Sequence, residues 1–371
     1  MKVMMIVQEL DAEGSVMMVS HDWARALAKR VERLAVIAAR VGTHDLPANA
    51  EVVDLDPDGH ASSARKGWRL LFEAGRRLAL GRMDVVFVHM VPKHALALAP
   101  LCKMLGKPLC LWYTSHGTGA ALRLVNPVLD AAVTATIDSY PFPGPKIVAI
   151  GHGIDTDRFR PGLNSKDHPP VIFYAARLTP IKLVEIAIRA MDEPALREHP
   201  AGPVLEIAGE PFYPADRLYL AQLRALVASR DLNDRVRFVR NIPGERMPAA
   251  LCRSTLALSL RGAPALDKNG IEAMAAGVPL LTNNPSFGPS LGEFKGMLFA
   301  EGGDPATIAR LAATLLDDPG LAARIANSLR LRAVEEHGLE GFADRLVGVF
   351  ESVLSGARPL SSAASQAERN P

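Results

Sequence analysis

The sequence predicts an α/β protein made of two doubly wound parallel sheets, and three observations predict it. Short apolar, β-rich runs alternate with longer segments of helical periodicity from the first residues onward. The rhythm breaks at a polar segment and then begins again. The length of 371 residues gives two domains at roughly 100 to 200 residues per domain, each large enough to bury its own core.

In the first half, Val3 to Val7, Leu34 to Ala38, Glu51 to Leu55, Val85 to His89 and Leu109 to Tyr113 read as strands of a parallel sheet. Thr134 to Thr136 and Lys146 to Ile150 read as two further short buried strands. Helical patterns fall between them at about Ser20 to Arg30, Ala64 to Leu80 and Lys93 to Leu105. After Arg160-Pro161-Gly162, the stretch Leu163 to Pro170 has the turn formers and low apolar content of a linker, so residues 1–160 form the first domain. The second domain, 171–335, carries strands at Val171 to Tyr174, Val204 to Ala208, Val236 to Val239, Thr255 to Leu260, Val278 to Thr282 and Met297 to Phe299. Its helices fall at Val184 to Met191, Ala215 to Arg230, near Met247 to Arg253 and from about Gly270 to Ala276. Amphipathic helices follow at Pro305 to Leu316, Gly320 to Val334 and Leu339 to Leu354, and the Ser, Ala and Pro content of residues 355–371 predicts a disordered tail.

Composition excludes several function classes. With 49% hydrophobic and 22% charged residues, the chain is neither low-complexity nor disordered as a whole. Its 42 Lys and Arg against 40 Asp and Glu leave +2, too little for a protein whose main work is neutralising a nucleic-acid backbone. Cys102, Cys110 and Cys252 form no metal-spaced array, which fits buried thiols in a reducing compartment. No window approaches the ~20 uncharged apolar residues that span a bilayer, and the N-terminus reads as a first strand rather than a secretory signal. The expected location is cytoplasmic, or peripheral at the inner face of a membrane. The peripheral option rests on residues 64–82, with six cations, one acid and several Leu, Phe and Trp residues that suit anionic headgroups. A solvated helix packed on the sheet is the alternative reading of that stretch.

The chemistry-bearing residues follow the strands. The first strand runs into a loop with a single glycine, Gly14, so a dinucleotide-binding G-x-G-x-x-G is absent and an NAD-dependent oxidoreductase loses its support. Gly14 reads as a plain turn or as a phosphate-facing loop. In the second domain, Arg177 and Lys182 follow the strand Val171 to Tyr174. That is the edge where open α/β sheets bind ligands, and a guanidinium and an ammonium around a Pro turn suit a diphosphate. Glu272 lies in the first turn of the next motif's helix, where it either complements the dipole or accepts hydrogen bonds from ribose hydroxyls. Backbone N–H groups around Asn269, Gly270 and Ile271 are candidates for holding a phosphate. No D-x-D or His/Asp cluster accompanies these residues, so no metal and no cofactor are expected beyond a nucleotide-diphosphate sugar as co-substrate.

Three segments resemble the GT-B glycosyltransferases of the large retaining family four, also called glycosyl transferases group 1. Gly151-His152-Gly153-Ile154-Asp155-Thr156-Asp157-Arg158-Phe159 resembles N-G-V-D-T-x-x-F, Arg177-Leu178 with Lys182 resembles R-L-x-x-x-K-G, and Glu272 to Pro279 resembles E-A-M-A-x-G-x-P. The resemblance implies two Rossmann-like domains facing an interdomain cleft. It places the nucleotide-sugar donor mainly on the second domain, a saccharide, lipid-linked or small-molecule acceptor on the first, and a last helix, here about Leu339 to Leu354, that crosses back. Carried over, Arg177 and Lys182 contact the donor diphosphate, Glu272 the ribose, and Gly14 the loop over the phosphates; His116, after a strand, resembles the histidine near the donor sugar, where an ordinary loop histidine is the alternative. Leaving-group electrostatics would then dominate catalysis, with retention of configuration and no carboxylate nucleophile.

The departures matter. The first glutamate of the family's usual pair is Pro264 here, and Asp267 and Lys268 stand where a branch with an L-D-K loop supplies polar contacts. The Gly usual after the lysine is Leu183, and the usual Asn before the Gly-Val-Asp loop is His152, which lines the cleft on one reading and not on the other. A non-catalytic sugar-nucleotide-binding protein and a sugar-nucleotide epimerase or hydrolase of the same fold are the alternatives.

Overall fold

The computed structural model describes residues 1–13, 18–162 and 168–359. The chain divides into two compact units, residues 1–155 with the chain from Glu336 on, and Thr156–Glu335. The division falls before the polar segment chosen from sequence. Arg330 Nη1 donates to the carbonyls of Thr156 (2.8 Å) and Phe159 (2.5 Å), and the Cys252 thiol lies 3.4 Å from that of Arg160, which ties 156–160 to the second unit.

In the first unit β1 (Lys2–Val7), α1 (Met18–Ala28), β2 (Arg33–Ala38), β3 (Ala50–Asp54), α2 (Ser63–Ala79), β4 (Val85–His89), α3 (Pro92–Met104), β5 (Leu109–Trp112), α4 (Ala120–Val125), β6 (Ala131–Thr134) and β7 (Ile147–Ala149) alternate. The strands lie in the order β3-β2-β1-β4-β5-β6-β7, all parallel. Helices shield both faces of such a sheet, which is why Val3 to Val7 and Val85 to Val88 are wholly buried and read as continuous apolar runs.

The second unit contains β8 (Val171–Ala175), α5 (Val184–Asp192), α6 (Pro194–Arg197), β9 (Val204–Ala208), α7 (Asp216–Ser229), β10 (Val236–Val239), α8 (Met247–Arg253), β11 (Leu256–Ser259), α9 (Lys268–Ala275) and β12 (Leu280–Thr282). Its parallel sheet has the order β10-β9-β8-β11-β12. The order turns back between β8 and β11, and the crevice beyond the carboxyl ends of strands at such a switch point is where this architecture takes ligands. The remaining helices are α10 (Gly288–Leu291), α11 (Lys295–Leu298), α12 (Pro305–Asp317), α13 (Pro319–His337) and α14 (Leu339–Leu354).

Two expected strands are corrected. The strand is Ala131–Thr134, not Thr134 to Thr136: Thr136 instead turns the chain, its hydroxyl bonded to Asp138 Oδ1 and Ser139 Oγ at 2.6 Å each. Small alanines hid the strand, because its burial comes from neighbouring β5 and β7 rather than from β-branched propensity. Met297 to Phe299 is not a strand but the end of helical turn α11 and the residue after it, and Phe299 contributes a single bridge to Thr282. The expectation of a disordered tail falls largely outside the described residues; within them, Arg358 Nε donates to the Pro145 carbonyl at 3.0 Å.

The returning chain is locked into the first unit by the Gly151 to Asp155 segment. Ile154 N–H donates to the His337 carbonyl (2.7 Å), and Leu339 N–H donates to that of Ile154 (2.8 Å). Trp23 sits against Phe342 (4.2 Å between centroids) and Trp112 (4.8 Å), and its indole N–H donates to the Gly153 carbonyl at 2.9 Å. Both glycines are required. Gly151 has φ +80°, and an added Cβ would lie 2.0 Å from the Glu336 carbonyl oxygen; Gly153 has φ +70°, and its Cβ would lie 2.6 Å from both Phe342 and the Trp23 nitrogen. His152 between them is buried beside Trp23 and Trp112, so it belongs to this core. Burial, with His152 opposite, drives the nearby His89 and His337 imidazoles down to about 3, and both stay neutral at ordinary pH.

Gly153→Ala combines a forbidden φ with a clash and is expected to cost more than about 2 kcal/mol in denaturant unfolding. Gly348→Ala, in α14 with open space around it, should be neutral or stabilise by up to about 1 kcal/mol. Equal effects would remove the packing role assigned to Gly153.

Candidate functional site

The switch point of the second sheet gathers charge. β8 ends at Ala175 and leads through Ala176 into Arg177, while β11 ends at Ser259 and leads through Leu260 into Arg261. Between them lies Asp267, whose Oδ1 accepts from Lys182 Nζ at 2.5 Å and from Arg261 Nη1 at 3.0 Å. All three side chains are largely buried, at 11%, 12% and 16% exposure for Lys182, Arg261 and Asp267. Burial pulls the Lys182 ammonium below the usual lysine range and Asp267 opposes that pull, while Arg261 and Arg177 add to it by like-charge repulsion. Two cations thus share one carboxylate, with Arg177 near enough to repel Lys182, an excess of positive charge at this edge of the sheet.

The loops that bear these groups are tied down. Tyr174, fully buried in β8, points its hydroxyl at the carbonyls of Lys182 and Leu260, the latter at 3.0 Å. Asn283, just past β12, clamps Arg261 by accepting from its N–H at 2.8 Å and donating to its carbonyl at 3.1 Å. Asn284 donates to the Ala265 carbonyl at 2.8 Å. Leu183, standing where the resemblance calls for Gly, adopts φ +49° and ψ +39°, the left-handed conformation that glycine takes freely. The conformation survives the change of residue because the Leu183 N–H closes a turn on the Pro180 carbonyl at 3.0 Å.

The helix of the Glu272 motif begins two residues earlier than its sequence suggests, with Asp267 as N-cap. Asp267 does not cap with its side chain, because its carboxylate is committed to the two cations. The N–H groups of Gly270 (3.1 Å) and Ile271 (3.4 Å) bond back to the Asp267 carbonyl. Of the N–H groups expected around 269–271, those of Gly270 and Ile271 are thus bonded within the helix, while those of Lys268 and Asn269, the first two of the helix, have no intrahelical acceptor. The side chains at these three positions have structural roles. Asn269 Nδ2 donates to the Ala175 carbonyl at 2.7 Å and pins the helix to β8. Gly270 is small because a Cβ would meet Phe287 at 2.4 Å, and Ile271 is wholly buried in the core.

Glu272 is 2% exposed. Its Oε1 accepts from Lys268 Nζ at 2.6 Å, while its Oε2 is buried with no hydrogen-bond partner among the described residues. A buried carboxylate oxygen left unmatched carries a desolvation cost that a hydrogen-bond donor on a ligand would offset.

Arg177 is exposed, with its guanidinium 5.9 Å over the Phe212 ring. Phe212 and Tyr213 form an edge-to-face pair, centroids 4.9 Å apart, at 64% and 59% exposure. Buried Asp216 accepts from both their N–H groups, at 3.2 and 2.9 Å; those bonds, with the hydroxyl of Thr179 and the charge of Arg177, hold its carboxyl below the usual range. Arg261, Asn283, Phe212 and Asp216 were not singled out in sequence. The available signal was position: Arg261 and Asn283 lie just after strands of this sheet, and Phe212 and Asp216 lie on the connection from β9 into α7.

His116 lies in the other unit, on the loop after β5, exposed, with its Nε2–H donating to the Asp138 carbonyl at 2.7 Å. That bond fixes the tautomer and leaves Nδ1 as the ring's acceptor. Gly14 lies outside the described residues.

Comparison with known proteins bears on this geometry. The family described as glycosyl transferases group 1 matches residues 155–332. A D-inositol 3-phosphate glycosyltransferase of Acidothermus cellulolyticus is 25% identical over 263 residues, 66% of this chain and 56% of the relative. A GDP-mannose-dependent alpha-(1-6)-phosphatidylinositol monomannoside mannosyltransferase of Mycolicibacterium smegmatis is 30% identical over 189 residues, 46% and 47% of the two chains. The matched part thus spans about half the length of these relatives. Among solved structures, Anabaena HepE in complex with UDP and glucose superposes with a TM-score of 0.75 at 15% identity, covering 94% of this chain and 99% of that one. The sucrose-phosphate synthase of Thermosynechococcus elongatus does so with 0.73 at 16%, covering 96% and 100%. Likeness at such identity is one of fold, and the fold is GT-B, as the sequence motifs implied.

Asp267→Asn leaves Lys182 and Arg261 facing each other without their carboxylate. It should lower unfolding free energy by about 3 kcal/mol, measured by urea titration. A loss under about 1 kcal/mol would mean that the cluster is solvated and not a built site.

Proposed function

We propose, because residues 155–332 match the glycosyl transferases group 1 family, that this protein transfers a sugar from a nucleoside-diphosphate sugar to a hydroxyl acceptor. The observation that carries the proposal is Glu272 Oε2, buried and unmatched one turn into α9, five residues from the carboxylate that holds two cations. A ribose supplies the hydroxyl donors that such an oxygen lacks, and a diphosphate supplies the negative charge that the excess of cations lacks.

The residues then divide the work. Glu272 accepts from the ribose, oriented by Lys268. Arg177, Lys182 and the N–H groups at the start of α9 stabilise charge as it develops on the departing β-phosphate, which is the largest electrostatic change along the reaction. Arg261 and Asp267 position Lys182 and hold its ammonium in place before the donor arrives. With protein cations in this role the transfer needs no metal. Retention of configuration follows if the acceptor attacks the face that the phosphate leaves, the phosphate taking the acceptor's proton; the acceptor is a saccharide, a lipid-linked saccharide or a small-molecule hydroxyl. His116, on the first unit, is assigned to the transferred sugar.

A second reading, sugar-nucleotide binding without transfer, is favoured by one feature. Pro264 stands where the family resemblance calls for a carboxylate near the sugar.

Glu272→Gln retains shape and removes charge. It should weaken binding of the cognate nucleoside diphosphate by about 10- to 100-fold, the value of a charge-assisted hydrogen bond of 1.5–3 kcal/mol. Calorimetry showing unchanged affinity would sink the ribose role. Tight donor binding by the wild-type chain, with neither transfer nor hydrolysis across an acceptor panel, would favour the second reading.

A further inference from the structure

The outward face of α2 is apolar where a water-facing helix is polar. The helix packs inward through Leu70, Ala74, Leu78 and the aliphatic part of Arg77. At 100° per residue, Ala64, Trp68, Leu71, Phe72 and Ala79 fall within a sector of about 100° beside that packed side, and all five are exposed. Trp68 is 67% exposed, Phe72 52% and Leu71 42%, and the Trp68 and Phe72 rings stack on each other, centroids 5.5 Å apart and 6° from parallel. The pair contributes nothing to the core beneath it.

Charge borders that stripe on one side. Arg65, Arg69 and Arg76 follow it around the helix, and Arg82 lies just past its end. The neighbouring acids are already engaged: Glu73 and Glu51 pair with buried Arg77, Glu73 also takes Arg76 at 3.1 Å, and Asp56 takes Lys66 at 2.6 Å. Arg65 and Arg82 have no carboxylate partner among the described residues. The face therefore offers a large aromatic surface with unopposed cations along its edge.

We infer that α2 is an interfacial helix that lies on an anionic lipid surface, Trp68, Leu71 and Phe72 entering the headgroup boundary and the arginines meeting the phosphates. Its 17 residues give about 25 Å of helix in the plane of the surface. No helix of the described residues is long and apolar enough to cross a membrane, so the contact is peripheral. A bilayer fits better than a protein partner because the stripe is the convex surface of a single helix, and its cations pair with a uniformly anionic plane. The inference concerns the first unit alone and stands or falls apart from the donor site.

The chain carries its own reporter. Of its three tryptophans, Trp23 and Trp112 are wholly buried and Trp68 is exposed. Titrating the full chain with phosphatidylglycerol-containing vesicles should shift tryptophan emission to the blue, and brominated acyl chains should quench it. Pure phosphatidylcholine vesicles or high salt should abolish both effects. Arg65→Glu with Arg82→Glu, at exposed positions that leave the core intact, should weaken partition at least tenfold, and Phe72→Glu should do the same without changing the far-ultraviolet spectrum. No shift with anionic vesicles overturns the inference. An equal shift with neutral vesicles overturns the role of the arginines. A shift that grows with protein concentration in the absence of lipid assigns the face to a second copy of the chain and also overturns it.

Discussion

The carboxylate of Asp267 is the constraint on which the second unit's ligand edge depends. It stands at the N-cap of α9 and gives up capping in order to hold Lys182 and Arg261. Without it, two buried cations would face each other across the switch point with Arg177 close by, and each would carry an uncompensated desolvation cost. With it, the edge keeps an ordered excess of positive charge that bulk water does not screen. Tyr174 and Asn283, a buried strand residue and a clamp after the last strand, fix the backbone positions from which Lys182 and Arg261 reach it. Preorganisation of this kind is what separates an anion site from a set of surface lysines and arginines, because the reorganisation is complete before the ligand arrives.

The first unit is built around a different constraint. Trp23, Trp112 and Phe342 form one aromatic core with buried His89, His152 and His337, and the Gly151 to Asp155 segment threads through it. The glycines there serve packing: a side chain at either position would collide with the Glu336 carbonyl or with the Trp23 and Phe342 rings. Through this segment the chain beyond Glu336 is bonded back into the first sheet's unit, so α14 contributes to the stability of residues far from it in sequence.

Both sheets were legible because parallel strands buried on two faces are continuous apolar runs, and helices between them carry a 3.6-residue period. The Thr134 strand was misplaced because alanines carry little strand propensity, and burial alone defines it. Met297 to Phe299 failed because three apolar residues are too short to tell a strand from a helical turn. At the charged edge, residue type and position at a strand's carboxyl end singled out Arg177, Lys182 and Glu272, and the family resemblance added Asp267 and Lys268; the structure pairs Lys182 with Asp267 and Lys268 with Glu272. Type and position were not enough to show that Asn269, Gly270 and Ile271 hold α9 against β8, Phe287 and the core, since that depends on which neighbours the sheet brings near. Arg261 and Asn283 escaped for the same reason. Each is an ordinary polar residue until the order β9-β8-β11-β12 places it opposite Asp267 or beside Arg261.

The proposed ligand, a nucleoside diphosphate bearing a sugar, rests on the charge of this edge and on an unmatched buried carboxylate oxygen. The most direct measurement is calorimetric titration of the full chain, without added metal, with UDP, GDP, ADP and dTDP in turn. The account predicts that one of them binds selectively, raises the unfolding temperature, and loses affinity as salt screens its phosphates. A folded sample that binds none of the four would contradict it and leave the charged edge of the second sheet without its assigned ligand.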